Sequence, residues 1–515
     1  MKIGIYNRYW NTCGGGENYT GSIAEVLSLD HDVELISVEP VDWERIQSRL
    51  RLDFSRCSTA QWPNESCARL SPLSARYDLF VNSTYCSTIM PHSGKSALIC
   101  YFPHRIDQVS VIWSCAAKWV KTLLSGNRNK QKVQGLDGYA VFPVSGIFAV
   151  EADGRAWAAP EAKLAVGGNR PTKIRLPLWP DAYNGVQSIK ADGCELSWQM
   201  EGSDLCIEPP SNWGSMNVLT LLGKSMDAAI KGAPQDKREL AVCLDTRKIA
   251  WNDSSVPLSR DLPGVAPQAS LSSYDRIVSI SQFTTEWIDK RWHLPSVELP
   301  PPIDTCEFRS DPLQVKERII LSVGRFFAGG HNKKHQEMAK AFIRMREEGR
   351  IPGGWRLVFI GSRHREHPSH LAYFDHLVEI CAGHPIDILP DLPFAELQGY
   401  YRKAAIYWHA AGWGERIKKF PERFEHFGMT TCEAMACGCV PVVFDAAGQR
   451  EIVDSSEIGF RFSSYGELAQ QMDRLTHIDP TILAEIGKKA EASITRYARA
   501  SFPDKVREAF RGLAY

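Results

Sequence analysis

Apolar and polar residues alternate in two different rhythms along this chain, and the rhythm changes twice. Near the start, Lys2–Asn7 reads as a buried strand, followed by a glycine loop and a helical run through Ile23, Val26 and Leu27. Val33–Val38, Tyr77–Asn82 and Ala97–Phe102 repeat the strand signal. Strands alternating with helices predict parallel βαβ units. From about Phe142 to Trp251 the helical period is lost and short alternating runs take over: Lys173–Leu178, Cys194–Trp198, Leu205–Ile207, Val218–Leu222 and Leu240–Leu244. Short strands at regular intervals predict a β-sandwich.

The α/β rhythm returns at Asp275–Ile280, where Ser281 is placed to cap the helix carrying Trp287, Ile288 and Trp292. Pro300, Pro301 and Pro302 form a stiff linker. Beyond it, Ile319–Val323, Arg356–Ile360, Ile386–Leu389, Ala405–His409 and Val440–Phe444 predict a second parallel sheet. Helices are expected at His335–Glu348, His370–Ala382 and Met429–Cys437, with an amphipathic tail at Pro503–Ala514. The expected fold class is α/β, two Rossmann-like lobes with an all-β insertion in the first. The boundaries are 1–141 and 253–303 for the N-terminal lobe, 142–252 for the insert, 304–498 for the C-terminal lobe and 499–515 for a final helix crossing back to the first lobe.

Composition narrows the function. The chain has 515 residues, with 60 basic side chains matched by 60 acidic ones, so no global field argues for nucleic acid. The 14 cysteines include no CxxC pair, and several sit in apolar runs, which favours buried thiols in a cytoplasmic protein. No stretch has the ~18 uninterrupted apolar residues of a membrane span. Fifteen tryptophans are mostly core, though aromatic faces also stack on sugars.

Candidate chemistry gathers in four places. Arg325 follows a predicted strand at its carboxyl end, and Lys334 opens a helix after Gly329 and Gly330. Two cations beside a glycine loop suit a diphosphate whose negative charge grows as a bond breaks. Gly14, Gly15, Gly16 and Glu17 follow the first strand, where missing side chains let the backbone approach a phosphate or sugar. The spacing is not GxGxxG, which disfavours a dinucleotide. His104 stands at another carboxyl strand end, suited to hydrogen-bonding a sugar or moving a proton. Finally, Glu425 and Glu433 flank Phe427-Gly428-Met429-Thr430 with seven residues between them. The helix start between them offers unpaired amides to an anion. Glycoside hydrolysis would use the acids but leave the cations unexplained. Glu425 therefore reads as a ligand for the transferred sugar or a stabiliser of its developing charge, and Glu433 as a ribose ligand.

Cys432, Cys437 and Cys439 lack a fourth ligand at zinc spacing, and Asp30-His31-Asp32 reads as a turn, so no metal or other cofactor is expected. Lys118, Lys121, Arg128, Lys130 and Lys132, interleaved with Trp113 and Trp119, are weighed as a contact with anionic lipid on the inner face of the plasma membrane against a solvated basic loop.

The glycine loop, Ser322-Val323-Gly324-Arg325 with Lys334, Phe359-Ile360-Gly361 and the Glu425-to-Glu433 stretch with its Ala-Met-Ala and Gly-Cys-Val-Pro-Val continuation resemble the GT-B-fold retaining glycosyltransferases, in particular glycosyltransferase family 4. The resemblance spans about 1–140 and 254–515. It implies that Arg325 and Lys334 hold the donor's phosphates, Glu425 the donor sugar and Glu433 the ribose. Phe427, Gly428, Met429 and Thr430 would complete the donor site with Gly15 and Gly16. It also implies a UDP- or GDP-sugar donor, a glycan or lipid-linked acceptor in polysaccharide or cell-envelope synthesis of a bacterial type, and retention without a metal. Rival readings are a GT-B epimerase, a phosphorylase, which would need a pyridoxal lysine, and a non-catalytic glycan-binding protein.

Overall fold

The computed structural model describes residues 1–65, 67–104, 140–147, 155–167, 173–180, 182–191, 194–209, 211, 216–226, 239–245, 249–251, 254–256, 271, 273–363 and 367–515. The basic run Lys118–Lys132 and the boundary at 252/253 lie outside these residues. The chain divides into two compact units, one of residues 1–278, 287–297 and 512–515 and the other of 279–286 and 298–511.

The first unit is built on the strand Lys2–Tyr6, whose Ile3 and Ile5 are fully buried. It pairs in parallel with Asp32–Ser37 on one side and Leu79–Asn82 on the other. Cys57–Gln61 extends the first side; Lys95–Cys100 and Arg276–Ser279 extend the second. Leu79–Asn82 is buried throughout, as a strand covered on both faces must be. Cys57–Gln61 gave no sequence signal because it is an edge strand, Cys-Ser-Thr-Ala-Gln, with no residue fully buried. The last four residues cluster with this unit: Lys95 Nζ donates to the Gly512 carbonyl (2.9 Å) and Tyr515 OH to Asp30 (3.2 Å).

The β-rich stretch forms two antiparallel sheets. One contains Ala140–Ile147, Arg155–Gly167, Val186–Ala191, Cys194–Glu195, Met216–Gly223 and Val242–Asp245; the other contains Ile174–Pro177, Trp198–Glu201, Asp204–Ile207, Ile249–Trp251 and Ser254–Val256. A single apolar core takes Leu164, Leu219, Leu221 and Val242 from the first sheet and Ile174, Leu176, Leu205 and Ile207 from the second. The 13-residue strand Arg155–Gly167 is the longest among the described residues and went unpredicted. Three of its core-facing positions are Ala156, Ala158 and Ala162, so its alternation carries little hydrophobic contrast.

In the second unit all sheet pairings are parallel. The spatial order is Ile386–Pro390, Arg356–Gly361, Glu317–Val323, Ala404–His409, Val440–Phe444, Phe460–Phe462. Numbered along the chain this is 3-2-1-4-5-6, the order of doubly wound nucleotide-binding sheets, with its reversal between Glu317–Val323 and Ala404–His409. Ligands of such sheets bind beyond the carboxyl ends at that reversal. Gly361 makes the geometry possible: a Cβ there would lie 1.8 Å from the Gly324 carbonyl oxygen. Helices His335–Glu347 and Pro368–Cys381 pack on the sheet with Phe342, Phe374 and Leu377 in the core. Ser281 caps its helix as expected, accepting from the Thr284 amide at 3.1 Å. Ile303, at the end of the proline linker, donates to the Tyr497 carbonyl (2.8 Å) and so is tied to this unit.

Candidate donor site

The reversal point of the second unit collects most of the chemistry. The strand Glu317–Val323 delivers Gly324 and Arg325. Arg325 is exposed; its guanidinium lies 5.4 Å from the centre of the Phe327 ring and has no carboxylate partner among the described residues. Phe326 beside it is fully buried and its amide donates to the Ser362 carbonyl (3.0 Å), fixing where the loop leaves the sheet.

The loop returns at Lys333 and Lys334, and the structure separates them. Lys334 has φ +62°, a left-handed conformation that an L-residue adopts at a cost of roughly 1–2 kcal/mol. Lys334 is 8 % exposed and its Nζ meets Glu415 Oε1 at 2.9 Å, while Arg423 holds the other oxygen of Glu415 at 2.9 Å. Lys333, which sequence reasoning did not single out, pairs directly with Glu425 Oε2. The ammonium on the carboxylate is that of Lys333, while Lys334, the residue expected at the donor's phosphates, is engaged by Glu415.

Glu425 is the centre of the cluster. Its Oε2 faces both Lys333 and His409, whose Nε2 is 2.8 Å away. Its Oε1 has no partner among the described residues. Burial alone would raise the carboxyl's pKa, but Lys333 and His409 outweigh it and hold the group well below the usual carboxylate range. His409, fully buried at the end of its strand, has a lowered pKa because burial disfavours the imidazolium more than Glu425 favours it.

Three residues on, Gly428 turns the chain into the helix Met429–Ala436 at φ +121°, and a Cβ there would lie 2.6 Å from Gln449 Nε2. The Met429 and Thr430 amides begin that helix and have no intrahelical acceptor. Thr430 Oγ1 accepts from Tyr407 OH at 2.8 Å, orienting this helix start against the strand Ala404–His409. Phe427 is buried against Tyr497, with ring centres 5.2 Å apart. Glu433, one turn into the helix, accepts from Tyr401 OH at 2.8 Å, and burial pushes its pKa up to about 7. Cys432, Cys437 and Cys439 are core residues, and the Cys439 thiol donates to the Tyr401 and Ala404 carbonyls (3.1 and 3.2 Å).

In the first unit, Gly14 caps the helix Gly15–Leu27. Glu17 Oε2 accepts from the Gly14 amide (2.8 Å) and Thr12 Oγ1 (2.5 Å), the half of a capping box that a glycine N-cap allows. Tyr101 OH donates to the Gly16 carbonyl (3.0 Å), and a Cβ on Gly16 would come within 3.3 Å of its ring. The glycine loop is therefore braced at the carboxyl ends of Lys2–Tyr6 and Lys95–Cys100. His104 packs edge-on to Trp292 (5.4 Å between ring centres), and its carbonyl accepts from Trp292 Nε1. Burial, then the nearby Arg291, lowers its pKa to about 4, so it is neutral at physiological pH.

Residues 305–498 match the family described as glycosyl transferases group 1. The matched span contains Arg325, Lys333, Lys334, His409, Glu425 and Glu433. No curated protein matches the chain. Among solved structures, a glycosyltransferase from Rickettsia africae ESF-5 aligns over 99 % of this chain and 98 % of its own, at 10 % identity and a TM-score of 0.51. A sucrose-phosphate synthase from Thermosynechococcus elongatus aligns over 100 % and 99 % at 12 % identity and 0.52. The Anabaena protein HepE, in complex with UDP and glucose, aligns over 99 % and 100 % at 11 % identity and 0.52. At these identities the likeness is one of fold, the GT-B pairing of two parallel α/β sheets on one chain. Among the described residues no helix is long and apolar enough to cross a membrane.

Sequence reasoning missed Lys333, His409 and Glu415. The rule that drew attention to His104, a histidine at a carboxyl strand end, applies equally to His409. Lys333 was hidden because nothing in two adjacent lysines announces which takes the left-handed turn.

Proposed function

We propose that this protein transfers a hexosyl group from a UDP- or GDP-sugar to a glycan or lipid-linked acceptor, with retention of configuration and without a metal. The observation that carries this reading is Glu425: a carboxylate kept ionised by Lys333 and His409, with one oxygen unclaimed, at the reversal point of a doubly wound sheet. Arg325 and Lys333 would neutralise the diphosphate as charge accumulates on it, helped by the Met429 and Thr430 amides. Glu425 Oε1 would meet the sugar, and Glu433, presented from the same helix, the ribose. Lys334 is assigned to holding Glu415 and the loop carrying Arg423. Retention needs no protein nucleophile if the acceptor attacks from the leaving-group face and the departing phosphate takes its proton. Gly15 and Gly16 would be further donor ligands, and His104 a further ligand for the sugar. The β-rich stretch, an inserted sandwich in this reading, would bind acceptor glycan, and the enzyme would work in the cytoplasm, at the membrane's inner face, in polysaccharide synthesis.

A thermal-shift panel of UDP, GDP, ADP and their sugar derivatives tests this. A ligand that binds only the folded state raises the unfolding temperature, so UDP or GDP should do so and ADP should not. No shift with any nucleoside diphosphate sinks the proposal.

A further inference from the structure

His409 is the one buried side chain that touches the central carboxylate and belongs to the sheet itself. It ends the strand Ala404–His409, is 1 % exposed, and places Nε2 2.8 Å from Glu425 Oε2. Its Nδ1 has no partner among the described residues, and Nε2 meets Oε2 as a close polar contact that is not aligned as a hydrogen bond. The other group on that oxygen, Lys333, is a flexible ammonium in the loop before a helix. Both converge on Oε2, which leaves Oε1 as the open atom of the carboxylate.

The two partners differ in a way that bears on catalysis. Lys333 carries a charge that a bound diphosphate would compete for, so its grip on Glu425 weakens when the donor arrives. His409 has no such competitor, because its imidazole is enclosed and its two side-chain torsions are fixed by packing. On the reading that this site binds a nucleotide sugar, we infer that His409 is the positioning residue for Glu425, holding Oε2 through the reaction so that Oε1 stays directed at the sugar. A neutral imidazole suits this role because it restrains the carboxylate without cancelling the negative charge that would stabilise positive charge developing on the sugar. Burial lowers the pKa of His409, which agrees with the neutral form. The remaining titratable neighbour is His335, also fully buried and neutral because burial lowers its pKa to about 3.

The test pairs His409→Phe, which keeps a ring but removes the donor, with His409→Gln, whose amide can restore one. UDP-glucose and GDP-mannose serve as probes, release of UDP or GDP as the rate, and calorimetry with UDP or GDP alone as the measure of nucleotide binding. His409→Phe should lower the rate by about 10- to 100-fold, the range for losing a polar partner of a charged group, with nucleotide affinity and unfolding temperature close to wild type. His409→Gln should recover most of the rate. Equal loss in both variants would reduce His409 to core packing, and full activity in His409→Phe, or a parallel loss of nucleotide binding, would also overturn the inference. Failure of the wild-type protein to bind UDP or GDP would instead remove the functional reading beneath it.

Discussion

Lys333 and Lys334 are neighbours in sequence with opposite surroundings. One is partly exposed beside Glu425; the other is buried against Glu415. Lys333→Ala should cut transfer by about 100-fold, the cost of removing one group that stabilises developing charge, with little change in unfolding temperature. Lys334→Gly should act differently. It relieves the left-handed backbone, worth roughly 1 kcal/mol, but breaks a buried ion pair, which costs about 3 kcal/mol, so the unfolding temperature should fall while turnover of the folded protein survives. A steady-state assay showing the reverse ranking would return the phosphate role to Lys334. Arg325, with no carboxylate to satisfy, should lose only its ligand when changed: Arg325→Ala should weaken UDP or GDP binding by about 10- to 100-fold in calorimetry, and an unchanged isotherm would remove it from the site. Residue identities at this site were legible because Arg325, Glu425 and Glu433 lie at strand ends and a helix start that sequence patterns locate. Their pairings were not, since the contact of Lys333 with Glu425 spans more than ninety residues and depends on the φ of its neighbour.

The helix Met429–Ala436 is the element on which the donor-site reading turns. Its start depends on Gly428, whose φ of +121° and contact with Gln449 exclude a side chain, so Gly428→Ala should destabilise the unit by more than the ~1 kcal/mol of an ordinary glycine replacement. Chemical denaturation would measure this. The same helix carries a pH-sensitive group. Folding raises the pKa of Glu433 from 4.5 to about 7, so the folded state binds the proton more tightly than the unfolded one. The stability this contributes is fully present below about pH 4.5 and is lost as pH rises through 7. Glu451, half-buried where it accepts from the Gln282 and Phe283 amides, is also raised to about 7 and acts in the same direction. Unfolding temperature should therefore fall between pH 5 and pH 8, and Glu433→Gln, which keeps an acceptor for Tyr401, should flatten part of that slope. An identical slope in the variant would show that Glu433 does not titrate there. The element was predictable from its glycine and apolar run; the raised pKa was not, because it arises from burial that only tertiary packing creates.

At the scale of the whole molecule, both α/β sheets follow the 3-2-1-4-5-6 path, the first adding a seventh strand, Val297–Glu298, and the strands a sequence reveals are those buried on both faces. Polar edge strands such as Cys57–Gln61 and alanine-faced strands such as Arg155–Gly167 are invisible to the same reasoning. The balance of 60 basic and 60 acidic side chains also sets the electrostatic problem. With no net field to draw in a nucleoside diphosphate, its charge has to be met locally. In the proposed mechanism Arg325, Lys333 and the start of the helix Met429–Ala436 do this, the role a divalent ion plays in other phosphate-transferring sites. Transfer measured in excess EDTA should therefore stay within about twofold of the untreated rate, since the fixed cations already stabilise the leaving group. Arg325→Ala in the same buffer should be the variant that gains from added magnesium or manganese, because the ion can replace a missing charge. Loss of wild-type activity in EDTA, restored by either metal, would mean that two cations and a helix terminus are not enough, and the metal-free mechanism would fall.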